Sequence, residues 1–84
     1  MAITVFKVVQ QCLLFHEIIA LGKKLEKEID VSAYNYIEDC DGYIQIDLNL
    51  KQDDDVWDVI KPYFTSEEFE ELKKSDIDFI KFYA

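Results

Sequence analysis

Polar and apolar side chains alternate without a break over residues 43–50, with Ile44, Ile46, Leu48 and Leu50 on one face and Tyr43, Gln45, Asp47 and Asn49 on the other. A period of two over this length marks a half-buried strand. Asp41-Gly42 just ahead of it is a turn signal, and residues 33–39 supply a partner, so the pattern predicts a β-hairpin over about residues 33–50, from Ala33 to Leu50. Two registers compete. A two-residue loop sets Ile37 opposite Ile46 and Asn35 opposite Leu48; a three-residue loop with Gly42 in the left-handed conformation sets Tyr36 and Tyr34 there instead. The second is preferred because it buries two aromatic rings against the apolar face.

Upstream, residues 4–28 carry a helical spacing. Val5, Val8, Val9, Cys12, Phe15 and Ile19 form one stripe, and Leu14, Ile18, Leu21 and Leu25 an adjacent one. No Pro, Asn or Asp interrupts them, and Thr4 is a candidate cap, so one long helix of roughly 37 Å is expected. An alternative makes the β-branched run over residues 3–9 an edge strand and starts the helix near Gln10. Gly22 is a possible late break, with residues 23–28 as a solvated last turn. Two stripes are wider than a surface helix needs, which suggests either a core helix lying across the sheet or a helix that also buries area in a homodimer.

Downstream, Asp53-Asp54-Asp55 precedes Val56-Trp57-Asp58-Val59-Ile60, with carboxylates where a helix N-terminus favours them and Pro62 to limit the helix. Thr65-Ser66-Glu67-Glu68 has capping-box spacing for a second short helix that turns Phe69 and Leu72 inward. Residues 77–83 are apolar on both alternating faces, as a closing strand would be, with one side covered by the helices. The expected fold is therefore a single α+β domain over residues 1–84: a long N-terminal helix packed on a small antiparallel sheet (hairpin plus C-terminal strand), with two short helices between.

Charge changes the picture. The 84 residues hold 18 acids against nine Lys and no Arg, a formal net charge of −9. Residues 1–30 are balanced; the excess lies entirely in residues 31–84. Such a field repels nucleic acid and anionic membranes and steers basic protein surfaces toward the acidic side. The apolar segment over residues 3–21 is interrupted by Lys7, Gln10, Gln11, His16 and Glu17, so neither a membrane span nor an export signal is expected. Two separated cysteines do not make a disulfide framework, and a reduced, cytoplasmic setting is expected.

Catalytic chemistry is not signalled. His16, the single histidine, lies in the helical stretch far from any nucleophile arrangement, and the many carboxylates select no acid–base pair. Asp39-Cys40-Asp41-Gly42 superficially resembles a calcium loop, but its glycine comes two residues early and no Glu closes it. No cofactor, metal site or enzymatic activity is expected.

What remains is a set of carboxylates interleaved with aromatics. Glu38, Asp39, Asp41, Tyr43 and Asp47 on the hairpin, with Asp53, Asp54, Asp55, Trp57 and Asp58 at the second helix, are the candidate partner-binding residues. Steering charge plus aromatic anchors suits an interface with a basic groove. The plainer alternative is that the acids keep an aromatic-rich domain soluble; the lopsided distribution weighs against it. The expected function is a small acidic inhibitor that mimics nucleic acid and occupies a basic, nucleic-acid-handling protein, of the phage anti-restriction or anti-CRISPR type. An immunity protein for a nuclease toxin and a self-associating adaptor domain are the alternatives.

Overall fold

The computed structural model describes residues 8–84. It is an α+β fold in two layers, a four-stranded sheet with three helices packed on one face. Strand β1 is Val8–Cys12, helix α1 Phe15–Glu28, and the hairpin strands are β2 Tyr34–Glu38 and β3 Ile44–Asn49. Helices α2 (Asp55–Ile60) and α3 (Ser66–Lys74) follow, and strand β4 (Phe79–Tyr83) closes the chain. Single 3-10 turns at Val31–Ala33 and Lys61–Tyr63 complete the connections.

The expected hairpin, two short helices and final strand are all present. Tyr34 pairs with Leu48 and Tyr36 with Ile46, the register of the three-residue loop. Gly42 takes φ 88°, and its N–H donates to the Asp39 carbonyl, while the Asp39 N–H donates to the Tyr43 carbonyl. Thr65 caps α3 reciprocally: its hydroxyl accepts from the Glu68 N–H, and the Glu68 carboxylate accepts from the Thr65 N–H at 2.9 Å.

The long first helix is not there. Val8, Val9 and Cys12 belong to a strand, and α1 begins only at Phe15, with 14 residues. The part of that expectation falling on residues 1–7, including Thr4 as a cap, lies outside the described residues. Leu14 occupies the N-cap position without a side-chain acceptor; instead the Glu17 carboxylate reaches back to its N–H at 2.9 Å. The strand is made by a distant partner: β4 lies between β1 and β3, parallel to the first and antiparallel to the second. The two apolar stripes are therefore divided between a strand and a shorter helix. The excess width that suggested dimerisation through one helix disappears with that division.

The core sits between the layers. Ile44, Ile46 and Leu48 of β3, Ile80 and Phe82 of β4, Ile18, Leu21 and Leu25 of α1, and Val56 and Ile60 of α2 are all 0% exposed. Tyr63 and Phe64 lean on Phe82 with ring centroids 5.7 and 6.0 Å away. Trp57 meets Phe69 edge to face at 5.8 Å, and the Lys73 ammonium lies 4.7 Å from the Phe69 centroid. At the end of α1 the Asp30 carboxylate accepts from the Ser32 N–H, which holds its pKa below the ordinary value. Its contribution is therefore present above the ordinary carboxylate pKa and is lost as pH falls through the lowered one.

Phe82 is fully buried on the inner strand β4 and supports two further rings. Phe82→Ala should destabilise the fold by about 3–5 kcal/mol in urea denaturation, the range for a truncated buried aromatic; a loss under about 1 kcal/mol would contradict this packing.

Candidate partner-binding surface

The hairpin brings four of the candidate residues to one end of β3. Glu38, Asp39, Asp41 and Tyr43 are all exposed around the turn. Asp39 also builds that turn, since its carboxylate accepts from the N–H groups of Asp41 at 2.9 Å and Tyr43 at 3.0 Å. Two acceptor contacts to backbone fix the loop that presents its neighbours.

Asp47 lies midway along β3 on the face away from the helices. A line of side-chain hydrogen bonds runs along this strand: the Tyr43 hydroxyl donates to Gln45 Oε1, and Gln45 Nε2 donates to Asp47 Oδ1, both at 3.0 Å. Asp47 stands opposite Lys81 in the sheet register.

The second acidic cluster lies beyond the far end of β3. Asp53 receives the Asp55 N–H at 2.9 Å, so one of the three consecutive acids is committed to the turn that starts α2. Asp54, Asp55 and Asp58 are exposed, and Asp55 and Asp58 border a shallow depression of about 420 Å³ with Lys24, Glu28 and Val59. Trp57 is half-buried through its contact with Phe69. It belongs more to packing than to a free anchor.

Apart from Asp47, which lies between them, the candidate carboxylates fall into two groups at either end of β3, a strand of roughly 17 Å at about 3.4 Å per residue. Among the described residues no charged side chain is buried, and none of these eight carboxylates has a lysine within pairing distance. The ion pairs of Lys51 with Asp76 at 2.6 Å and Asp78 at 3.2 Å involve other acids, where they tie the segment after β3 to the one before β4. Also among the described residues, no group of three or more His, Cys, Asp or Glu is placed to hold a metal ion, and no helix is long and apolar enough to cross a membrane.

Sequence patterning missed a third feature. A groove of about 670 Å³ runs between α1 and β2, lined by Ile19, Gly22 and Glu26 on the helix side and by Val31, Tyr34 and Tyr36 on the other. It exists because Gly22 has no side chain: a Cβ there would come within 3.1 Å of the Tyr36 ring. Partial burial, and secondarily the charge of Glu38, raise the Tyr36 phenol above its ordinary pKa. The signal in the sequence was the helix-interior glycine, which has meaning only once its neighbour across the layers is known.

No protein-family model, curated protein or solved structure matches this chain.

The turn geometry separates two adjacent acids. Asp39→Ala should cost about 1–2 kcal/mol by leaving two turn N–H groups without their acceptor. Asp41→Ala, whose carboxylate makes no hydrogen bond among the described residues, should stay within about 0.5 kcal/mol of the parent. Thermal denaturation of both variants provides the comparison.

Proposed function

We propose that this chain is a non-enzymatic acidic inhibitor that occupies the basic surface of a nucleic-acid-handling protein, a nuclease or CRISPR effector, in place of its nucleic acid. The observation that carries this proposal is the pair of unneutralised acidic clusters at the two ends of β3, in a segment holding fourteen acids against five lysines. Their separation of roughly 17 Å corresponds to about five nucleotide steps at about 3.4 Å per step along one strand. A rigid strand that spaces charge in this way presents an extended anionic track, and a channel lined with Lys and Arg recognises such a track before it recognises sequence. The working compartment under this proposal is the cytoplasm, where effectors of this kind meet nucleic acid. The same charge pattern would serve an immunity protein that covers the basic active site of a nuclease toxin; that alternative differs in the partner and not in the surface.

The test is affinity capture from nuclease-treated lysate with rising salt, followed by a variant series. A single nucleic-acid-binding protein should be retained and then released as salt screens the contact. The triple variant Asp54→Lys, Asp55→Lys and Asp58→Lys, which spares the turn-forming Asp53, should keep a cooperative fold and weaken capture at least tenfold. Retention that is indifferent to both salt and charge reversal would overturn the proposal.

A further inference from the structure

Among the described residues, strand β2 is a sheet edge whose outer ladder has no partner. Ile44 exchanges both backbone hydrogen bonds with Ala84, and the Leu50 N–H donates to the Asp78 carbonyl, so the even-numbered residues of β3 bond toward β4. The odd-numbered ones bond toward β2, as the Asp39 N–H to Tyr43 carbonyl contact shows at the hairpin end. In the β2–β3 register this engages Asn35 and Ile37 with β3 and turns the N–H and C=O groups of Tyr34, Tyr36 and Glu38 outward.

Natural edges are commonly blunted by Lys, Pro or a bulge. β2 carries neither Lys, Pro nor a bulge, and its one charge is the terminal Glu38; its sequence is Tyr-Asn-Tyr-Ile-Glu, and Tyr36 and Ile37 are each 39% exposed. Beside the edge, on the helix side, lies the apolar groove of Ile19, Gly22, Val31 and Tyr36. An unpaired ladder next to an apolar trough is the arrangement that accepts an added strand, with backbone groups giving affinity and alternate side chains entering the trough.

Charge selects the occupant. A second copy of this chain would bring another net −9 to an edge that already ends in Glu38, Asp39 and Asp41; the groove wall itself is balanced, with Glu26 beside Lys23, so the local excess of acid lies at the hairpin end. A segment alternating apolar residues with Lys or Arg sets its apolar side chains in the trough and brings its basic ones near the carboxylates at the hairpin end of the edge.

We infer that β2 and the α1–β2 groove form a docking site for an extended basic-apolar segment of a partner protein, which adds to the sheet as a fifth strand. This site shares the hairpin acids Glu38, Asp39 and Asp41 with the acidic track proposed above but adds a backbone edge and a groove that the track does not use, so the α2 charge reversal tests the track and the β2 amides test the docking site.

The probe is a capped synthetic heptapeptide, Lys-Val-Lys-Ile-Lys-Val-Lys, and the readout is amide hydrogen exchange by NMR. At saturating peptide, exchange at Tyr34, Tyr36 and Glu38 should slow at least tenfold, while Asn35 and Ile37, already bonded to β3, should change little. Val31→Lys, at a position 75% exposed, should leave the unfolding midpoint unchanged and weaken peptide binding about tenfold. Gly22→Leu, which enters the groove only by displacing the Tyr36 ring, should also weaken peptide binding about tenfold, and its spectrum reports whether the fold is kept. A peptide with Pro at its central position should not protect the three amides. The inference is overturned if the three amides gain no protection, if both groove variants bind as tightly as the parent, or if those amides are already protected in a protein that sediments as a dimer.

Discussion

The ladder between β3 and β4 holds the rest of the molecule in place. It sets Ile46 against Phe82 and Leu48 against Ile80, four fully buried side chains in two adjacent pairs at the heart of the core. Because β4 also pairs with β1, this one strand joins the chain's first described element to its hairpin. In a domain of 84 residues the apolar area available for burial is small, and concentrating it on two neighbouring strands lets one layer of helices cover it. The other sheet face carries Gln45, Asp47, Lys81 and Tyr83, each half-buried.

That asymmetry shapes what the protein can offer a partner. The helix layer consumes the apolar residues and leaves carboxylates at the ends of β3, where turns project them. Asp39 and Asp53 show how sparingly the acids serve the fold: each receives backbone N–H groups in its own turn, while Asp41, Asp54, Asp55 and Asp58 make no such contact among the described residues. Charge that the fold does not use, held on rigid elements, is available for recognition without further ordering. The edge of β2 offers something different, directional backbone groups beside an apolar trough, so the two surfaces would select different features of whatever they meet.

How much of this was legible in the sequence follows from where each constraint lives. The hairpin register was readable because Gly42 and the alternation of residues 43–50 are local signals that agree with each other. Helix α3 was readable because Thr65 and Glu68 cap it within four residues. The start of the chain was not readable. Around Leu13 and Leu14 the apolar period changes from two to 3.6 with no Pro, Gly or Asx residue to mark it, and the cap is a backbone N–H held by Glu17. Val8–Cys12 is a strand because Phe79–Tyr83 lies beside it, seventy residues away in sequence, and single-chain periodicity carries no trace of that partner. The exposed carboxylates were legible from residue type alone; the groove was not, since it is a relation between Gly22 and Tyr36 across two layers.

The central position of β4 has a further consequence for how the protein comes into being. The hairpin is complete in sequence at residue 50, and about 33 more residues must be added before β4 is made, roughly 2–7 s at about 5–20 residues per second. Until β4 joins it, the hairpin has no partner on its β3 flank, and a two-stranded ribbon alone is marginal in water. Closure then demands that the newest strand slide between two older ones and pair with both, a non-local step of the kind that slows folding.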